Sequence, residues 1–573
     1  MLTNQSQWTL DLQKAHPGAG KTDEMHTENS RATRTETGDW QHGGKHQADM
    51  VVSLDLQDTN DGSTIVVEVG TSAADLNALI ASVPDGTTII LADGIHQFDQ
   101  PIVVARDSIS LTGQSETGTV LNFSLAAGSE ASLIQVTGGA KTYVDTTKFD
   151  AAAGSTILET DAGHGLQVGD AVYLYMPNTQ EYLDANGWSN VDWADADTRP
   201  FREFITTVTA VDGGTLTLAD PLPFDFVAGE TRIFSIDLLQ DITLANFTVT
   251  NDLGEADHYN FVNTLDAYLG TSAIDLVGTE AITLSAITVI DAPSSAVTLR
   301  SSIHADVSDL YIDGSHNMGG GGNGYGIELA EAFNNSLTGL EIFNMRHSLV
   351  LSAWNAETGN IIEVLDTNRD INFHGSPDLG NEILVLHSVM DYQLALDASG
   401  GTQWAIVSDG GASFAQSDIS GANNVRFVHA EGSGASDWIM GADSGCYLNG
   451  HGSNDTLVGG DGDDVIVGGL RRDIMTGGGG SDLFILQMGD DLDRITDFQF
   501  GTGGDTLVFS GNPAVDGIED LVFTQDGQDL RIRYGSNSTV ILEHTLLSDV
   551  DGANFEFDPG SDVYGDLWLG MGG

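Results

Sequence analysis

Ile327, Leu349 and Ile371 recur at intervals of 22 residues, and Leu394 follows after 23. Each sits in a short alternating run: "GYGIELA", "HSLVLSA", "RDINFHG" and "YQLALDA". Between them runs a second apolar set, Leu340 with Ile342, Ile362 with Val364, and Ile383 with Val385. Alternation with period two marks a strand with one buried face. One such coil cannot bury its apolar face alone, so a fixed period of this size means stacked coils that cover one another. A β-sandwich would not hold so constant a register over four turns. The spacing therefore predicts a right-handed parallel β-helix.

The rest of the chain is read around that solenoid. Residues 1–62 are polar, His-rich and aperiodic, the composition of a disordered arm. The β-helix domain is expected over 63–445 and opens with "STIVVEVGTSAADLNALIASVP". There a strand leads into a short helix with Leu76, Leu79 and Ile80 on one face, suited to covering the end of a solenoid core. Residues 141–233 have hairpin-type turns and no coil period, and are expected to form a small β-barrel-like insertion.

Charge excludes several partners. Twenty basic residues against 84 acidic ones give a net charge of −64, and no lysine follows Lys148. Such a chain repels nucleic acid and anionic membrane surfaces, but suits neutralisation by divalent cations. No stretch approaches the roughly 18 consecutive apolar residues of a membrane helix, so no membrane insertion is expected. The N-terminal stretch lacks the apolar core of a signal peptide. A single cysteine, Cys446, precludes an internal disulfide framework and reads as a small buried hydrophobe.

From Gly450 the texture changes to "GHGSNDTLV GGDGDDVIV GGLRRDIMT GGGGSDLFI". Asp455, Asp464, Asp473 and Asp482 recur every nine residues, with Leu457, Ile466, Met475 and Phe484 two positions after each. This is the G-G-x-G-x-D-x-U-x pattern, in which the apolar residue packs inward while aspartates and turn carbonyls of successive turns hold Ca²⁺. Gly460, Gly462, Gly469, Gly478 and Gly480 supply its turns, whereas Arg471 stands where a glycine is expected. Two to four Ca²⁺ sites are expected over 446–490, followed by a C-terminal cap over 491–573. The repeats resemble the RTX proteins. That resemblance implies a calcium-binding β-roll, export by a type I secretion apparatus through an uncleaved C-terminal signal, and an extracellular location.

Coil register also maps the outward side chains. One column holds Thr298, Glu328, Val350 and Asn372, and its neighbour Arg300, Ala330, Ser352 and His374. Tyr325, His347 and Arg369 stack at the strand entrances, with Asp370 next in line and Arg346 alongside. A bland outward face would carry Thr, Ser, Asn and Asp. Taken singly, each of these residues is as well explained by strand-end stacking or local pairing as by chemistry; the cluster as a whole favours a site. Arginines on an otherwise acidic surface suit a polymer bearing carboxylates, which guanidinium binds in a bidentate manner. For a uronate polymer the chemistry begins with removal of the C5 proton, with the carboxylate neutralised. Carboxylate binding is expected from Arg369 and Asn372 with Arg346, His374 as base and Tyr325 as acid, and His347 able to exchange roles. Arg300, Ser352 and Trp354 complete the expected substrate contacts. Hydrolysis by a carboxylate pair, Glu328 with Asp370, is the competing mechanism.

These coils resemble the β-helix module of secreted mannuronan C5-epimerases and alginate lyases. The family's Tyr-Gly-Phe-Asp-Pro-His motif is matched by Tyr325-Gly326-Ile327-Glu328-Leu329-Ala330. Ala330 replaces the motif histidine, and His374 lies two coils along the same column. The stretch "MRHSLVLSAWNAETGN…TNRDINFHGSPD" is more similar to rhizobial secreted proteins that depolymerise acidic exopolysaccharide. That resemblance implies an enzyme cleaving an acidic bacterial polysaccharide, with β-elimination by a polysaccharide lyase the leading expectation and a hydrolase left open; a C5-epimerase is the nearest enzymatic rival. A non-catalytic polysaccharide-binding matrix protein is the alternative from another class.

Overall fold

The computed structural model describes residues 64–125, 130–185, 200–352, 355–374, 378–390 and 423–558. The arm expected over 1–62, Leu394, Trp354 and the end of the C-terminal segment, 559–573, lie outside the described residues.

The body is a parallel β-helix. Ile274, Val297, Ile327, Leu349 and Ile371 pair in one continuous column of parallel strands, all buried. A second column runs Leu310, Leu340, Val364 and Val385. Here the expected phase needs a correction: Leu340 lies against Val364 rather than Ile362, and Ile362 lies against Leu337. The cause is a double register shift between Leu337 and Glu341. Gly339 at the shift has φ +67°, and Asn246, Ala286 and Asp309 occupy the same left-handed conformation in preceding coils. One extra residue in that conformation bends each coil at the same place.

A buried amide ladder fixes another turn of the coil. Asn335, Asn360 and Asn381 each donate both backbone N–H and Nδ2 to the Oδ1 of the next asparagine, ending at Asn423, at 2.8–3.1 Å. Each side chain thus satisfies its own burial while locking the spacing of successive coils. At the N-terminal end, helix Ala73–Ser82 is capped by Ser72 and buries Ala73, Leu76 and Ile80. Asn77 of this helix binds the edge strand through Pro101 O and Val103 N, so the helix covers the core.

The insertion is a six-stranded antiparallel sheet between Ala140–Thr146 and Arg232–Asp237. The Lys148 N–H donates to Glu159 O at 3.0 Å, drawing its two end strands together as in a barrel. Its own core, with Val172, Leu174, Phe204 and Ile233, meets the β-helix at Phe333. The Phe204 and Phe333 rings pack edge-on with centroids 5.4 Å apart.

The C-terminal roll continues the helix with shorter coils. Trp438–Met440, Thr456–Val458, Ile474–Thr476 and Leu492–Ile495 stack in parallel on one side. Tyr447–Asn449, Val465–Val467, Leu483–Gln487 and Thr506–Ser510 stack on the other. Leu457, Ile466, Met475 and Phe484 all point inward with no exposure. An antiparallel set, Val522–Asp526, Asp529–Arg533 and Thr539–Leu542, closes the end. Among the described residues no helix is long and apolar enough to cross a membrane.

Candidate functional site

Three consecutive strands, Tyr325–Ala330, His347–Leu351 and Ile371–Phe373, carry the densest chemistry of the β-helix. Register sets Tyr325 against His347 and Val350 against Asn372. The Tyr325 hydroxyl lies 3.0 Å from His374 Nε2. His374 Nδ1 lies 2.7 Å from Asn372 Oδ1, and Asn372 Nδ2 donates to Asp370 Oδ2 at 2.9 Å. Asp370 in turn receives His347 Nδ1 at 2.9 and 3.0 Å on its two oxygens. The rings of Tyr325, His347 and His374 form a triangle with centroids 5.6–5.7 Å apart. His374 is the half-buried member, while Tyr325, His347, Asp370 and Asn372 lie beneath it at 3% exposure or less.

The surroundings drive the ionisable groups apart. Burial, aided by the charges of His347 and Arg346 and opposed by Asp370, pushes His374 down to about 4. Burial also pushes Tyr325 up to about 12, with Glu328 and Asp370 adding to the shift and Arg346 opposing it. Burial raises Asp370 as well, but His347 and the Asn372 amide outweigh it and hold the carboxyl below its usual range. At neutral pH the site therefore presents an uncharged imidazole hydrogen-bonded to an un-ionised phenol. Pairs pushed apart in this way are suited to base and acid roles respectively.

Two expected substrate contacts turn inward. Arg369 is 2% exposed, and its guanidinium donates Nε to Met345 O (2.8 Å) and Nη1 to Asn368 O (2.9 Å). Asn372 is 1% exposed and belongs to the network beneath His374. Alternation points Asn372 toward the groove face, whereas Arg369 has the parity of the inward Ile371 and Phe373, and its guanidinium folds back onto the preceding coil. Arg346 is half-buried, with Nη1 donating to Gly319 O at 3.0 Å and its own N–H to Gly324 O at 2.7 Å. The glycine run holds it there: Gly324 has φ +79°, and a Cβ on it would stand 2.9 Å from Arg346 Cβ. Ser352 is buried, with its N–H on Leu329 O.

Glu328 does not face Asp370, which is committed to His347. Its register neighbour two coils back is Asp275, with Thr298 between them. Burial raises the Glu328 carboxyl, Asp275 adds to the rise, and Arg300 opposes it. Sequence reading missed Asp275, although it lies in the mapped column one coil beyond Thr298.

In the roll, aspartates form two ladders. The N–H groups of Asp437, Asp455 and Asp473 donate to Oδ1 of Asp455, Asp473 and Asp493, at 2.8, 2.8 and 3.1 Å. On the other side Cys446, Asp464 and Asp482 donate to Asp464, Asp482 and Asp505, at 2.7, 3.0 and 3.1 Å. Asp493 and Asp505 fall outside the nine-residue phase, whereas Asp437 keeps it, 18 residues before Asp455, but precedes the glycine-rich run that begins at Gly450. The Cys446 thiol stands in an aspartate position. A Cβ on Gly441 would lie 2.2 Å from its sulfur, as one on Gly459 would lie 2.1 Å from Asp464 Oδ2.

Asp455 and Asp473 are each 1% exposed, and their Oδ2 atoms have no hydrogen-bond partner. Burial pushes Asp455 up to about 8 and Asp473 to about 6. Buried, half-satisfied carboxylates beside glycine turns fit a hard divalent cation held by oxygen ligands. Gly469, Gly478 and Gly480 adopt φ +93° to +103°, while a Cβ on Gly460 or Gly462 would meet backbone 2.6 or 2.4 Å away. Arg471 takes φ +103° where the pattern calls for glycine.

Residues 431–466, 449–484 and 458–492 match the RTX calcium-binding nonapeptide repeat. These repeats bind calcium. No curated protein sequence matches the chain. Among solved structures the chain is similar to the tailspike gp49 of Pseudomonas phage LKA1, at 13% identity and TM-score 0.42, covering 76% of this chain and 71% of that one. It is also similar to the tailspike gp61 of Pseudomonas phage phi297, at 13% identity and TM-score 0.41, covering 76% and 67%. A third is the catalytic domain of a GH87 alpha-1,3-glucanase, at 10% identity and TM-score 0.31, covering 88% and 69%.

Proposed function

We propose that the protein is an extracellular, calcium-loaded enzyme that cleaves an acidic polysaccharide by β-elimination on the Tyr325–His374 face. The observation that carries this reading is the 3.0 Å pairing of a phenol and an imidazole whose pKa values are driven in opposite directions. In the resting site the Tyr325 hydroxyl donates to His374 Nε2. A sugar ring settling over the pair, with its C5–H toward His374 and its glycosidic oxygen toward Tyr325, replaces that hydrogen bond. His374 Nε2 removes the proton α to the uronate carboxylate, and Tyr325 protonates the departing glycosidic oxygen. Because both groups lie on one side, the elimination is syn. The proton on Nε2 then returns to the Tyr325 oxygen through the restored hydrogen bond.

Arg346, half-buried beside the pair, and Arg300, exposed in the His374 column, take the role of carboxylate binding in place of Arg369 and Asn372. The calcium roll supports export by a type I apparatus and folding in calcium-rich surroundings. Incubation with a panel of uronate-containing polymers tests the reading. Ultraviolet-absorbing unsaturated ends are expected; reducing ends without that absorbance, or C5 proton exchange without cleavage, would sink it.

One observation favours hydrolysis as the second reading. Asp275 and Glu328 stand two strand spacings apart, about 9.5 Å between backbones, and both carboxyls are raised by burial. That spacing leaves room for a water between the two carboxyls, and Arg300, which opposes the rise of both, would have to keep one of them ionised as the base.

A further inference from the structure

The Asn372 amide sits between two imidazoles and one carboxylate, and its orientation is not free. An ionised carboxylate only accepts hydrogen bonds, so the contact with Asp370 Oδ2 at 2.9 Å must be made by the Asn372 NH₂. The carbonyl Oδ1 then faces His374 Nδ1 at 2.7 Å, and Oδ1 only accepts. His374 therefore carries its proton on Nδ1. The remaining nitrogen, Nε2, holds a lone pair toward the Tyr325 hydroxyl. Asp370 is itself held by His347 Nδ1 from the neighbouring coil.

We propose that Asn372 is a positioning residue: oriented by Asp370, its amide fixes His374 as the Nδ1–H tautomer and aims the Nε2 lone pair at Tyr325. The proposal deepens the acid–base reading above and rests on it for its catalytic consequence. A neutral imidazole free to choose its tautomer would place a proton on Nε2 for part of the time, and that form cannot act as a base there. The amide also separates the Asp370 carboxylate from His374, so the histidine is oriented without being charged. A carboxylate in direct contact, as in an Asp–His dyad, would favour imidazolium.

Two substitutions separate these effects. Asn372→Ala removes the acceptor. It is expected to lower kcat by about 10- to 100-fold, the usual range for a group that orients another, with KM little changed. Asn372→Asp keeps an acceptor for Nδ1–H but sets a second carboxylate against His374. It is expected to move the acid limb of the kcat profile to higher pH. Nitrogen-15 NMR of the imidazoles in the calcium-loaded full chain reads the tautomer directly. The wild type should show His374 as Nδ1–H, with Asn372→Ala populating Nε2–H and Asn372→Asp retaining Nδ1–H. An unchanged tautomer in Asn372→Ala, or loss through KM alone, overturns the proposal. If the wild type cleaves no polymer while Asn372→Ala still shifts the tautomer, the amide assignment stands and the acid–base reading falls. Calcium-dependent melting of each variant identifies a folding defect, and a variant that melts as the wild type with none of these shifts also overturns the proposal.

Discussion

Tyr325 and His374 are 49 positions apart in the chain, yet the phenol oxygen and Nε2 are 3.0 Å apart. Two parallel coils bring them together, and their surroundings keep one protonated and the other neutral over a wide pH range. Tyr325→Phe and His374→Gln should each lower turnover by about 10²- to 10⁴-fold, the span of general acid–base catalysis, with folding retained. With His374 near 4 and Tyr325 near 12 in the free protein, kcat/KM should fall as His374 protonates toward pH 4, stay level through neutrality, and fall again only as Tyr325 ionises toward pH 12. Rate profiles with a half-maximum near neutrality would contradict the assignment.

Calcium removal should loosen the roll before the β-helix, because the buried carboxylates of Asp455 and Asp473 lose the counter-charge their free oxygens lack. Hydrogen exchange in a chelator should rise first across residues 431–492. In the same ladders the Cys446 thiol is a soft ligand in a position that elsewhere holds a hard one. Cys446→Asp is expected to raise the calcium bound per chain by one in equilibrium dialysis. Unchanged binding would show that this coil lacks the other ligands.

The seam between insertion and β-helix should respond to alkali. Burial, with the charge of Glu331, raises Glu203 to about 8 against the hydrogen bonds from Tyr173 and Asn355. A carboxyl raised in the folded state binds its proton more tightly there than in the unfolded chain. Its contribution to stability is full below the ordinary carboxyl range and disappears as pH rises through about 8. Glu203→Gln should flatten that decline and raise the melting temperature above pH 8. An unaltered pH dependence of melting would remove Glu203 as its source.

Arg471 at φ +103° carries strain that glycine would not. Arg471→Gly is expected to stabilise the roll by about 1 kcal/mol or somewhat more. Calcium-saturated denaturant melts measure the difference, and a loss of stability would mean that the arginine side chain makes a compensating contact.

Much of the architecture was legible because its signals are local. The alternation that carries Ile327, Leu349 and Ile371 has the period of a strand, and the nine-residue aspartate phase has the length of one half-coil. Neither depends on which distant residue lies opposite. The second apolar column was misphased by the double shift around Gly339 because a left-handed bend adds a residue without disturbing the hydrophobic pattern.

The candidate site divides along the same line. The sequence by itself determined that Tyr325, His347, Asp370, Asn372 and His374 share neighbouring positions on stacked coils, because coil length sets register. Only the tertiary structure decided what each side chain does there. Arg369 turns onto the carbonyls of Met345 and Asn368, Asp370 joins His347 rather than Glu328, and Asn372 lies beneath His374 rather than facing solvent. Alternation specifies the face from which a side chain leaves the strand. Burial and the competition among nearby hydrogen-bonding groups, formed only when the coils stack, specify where it ends.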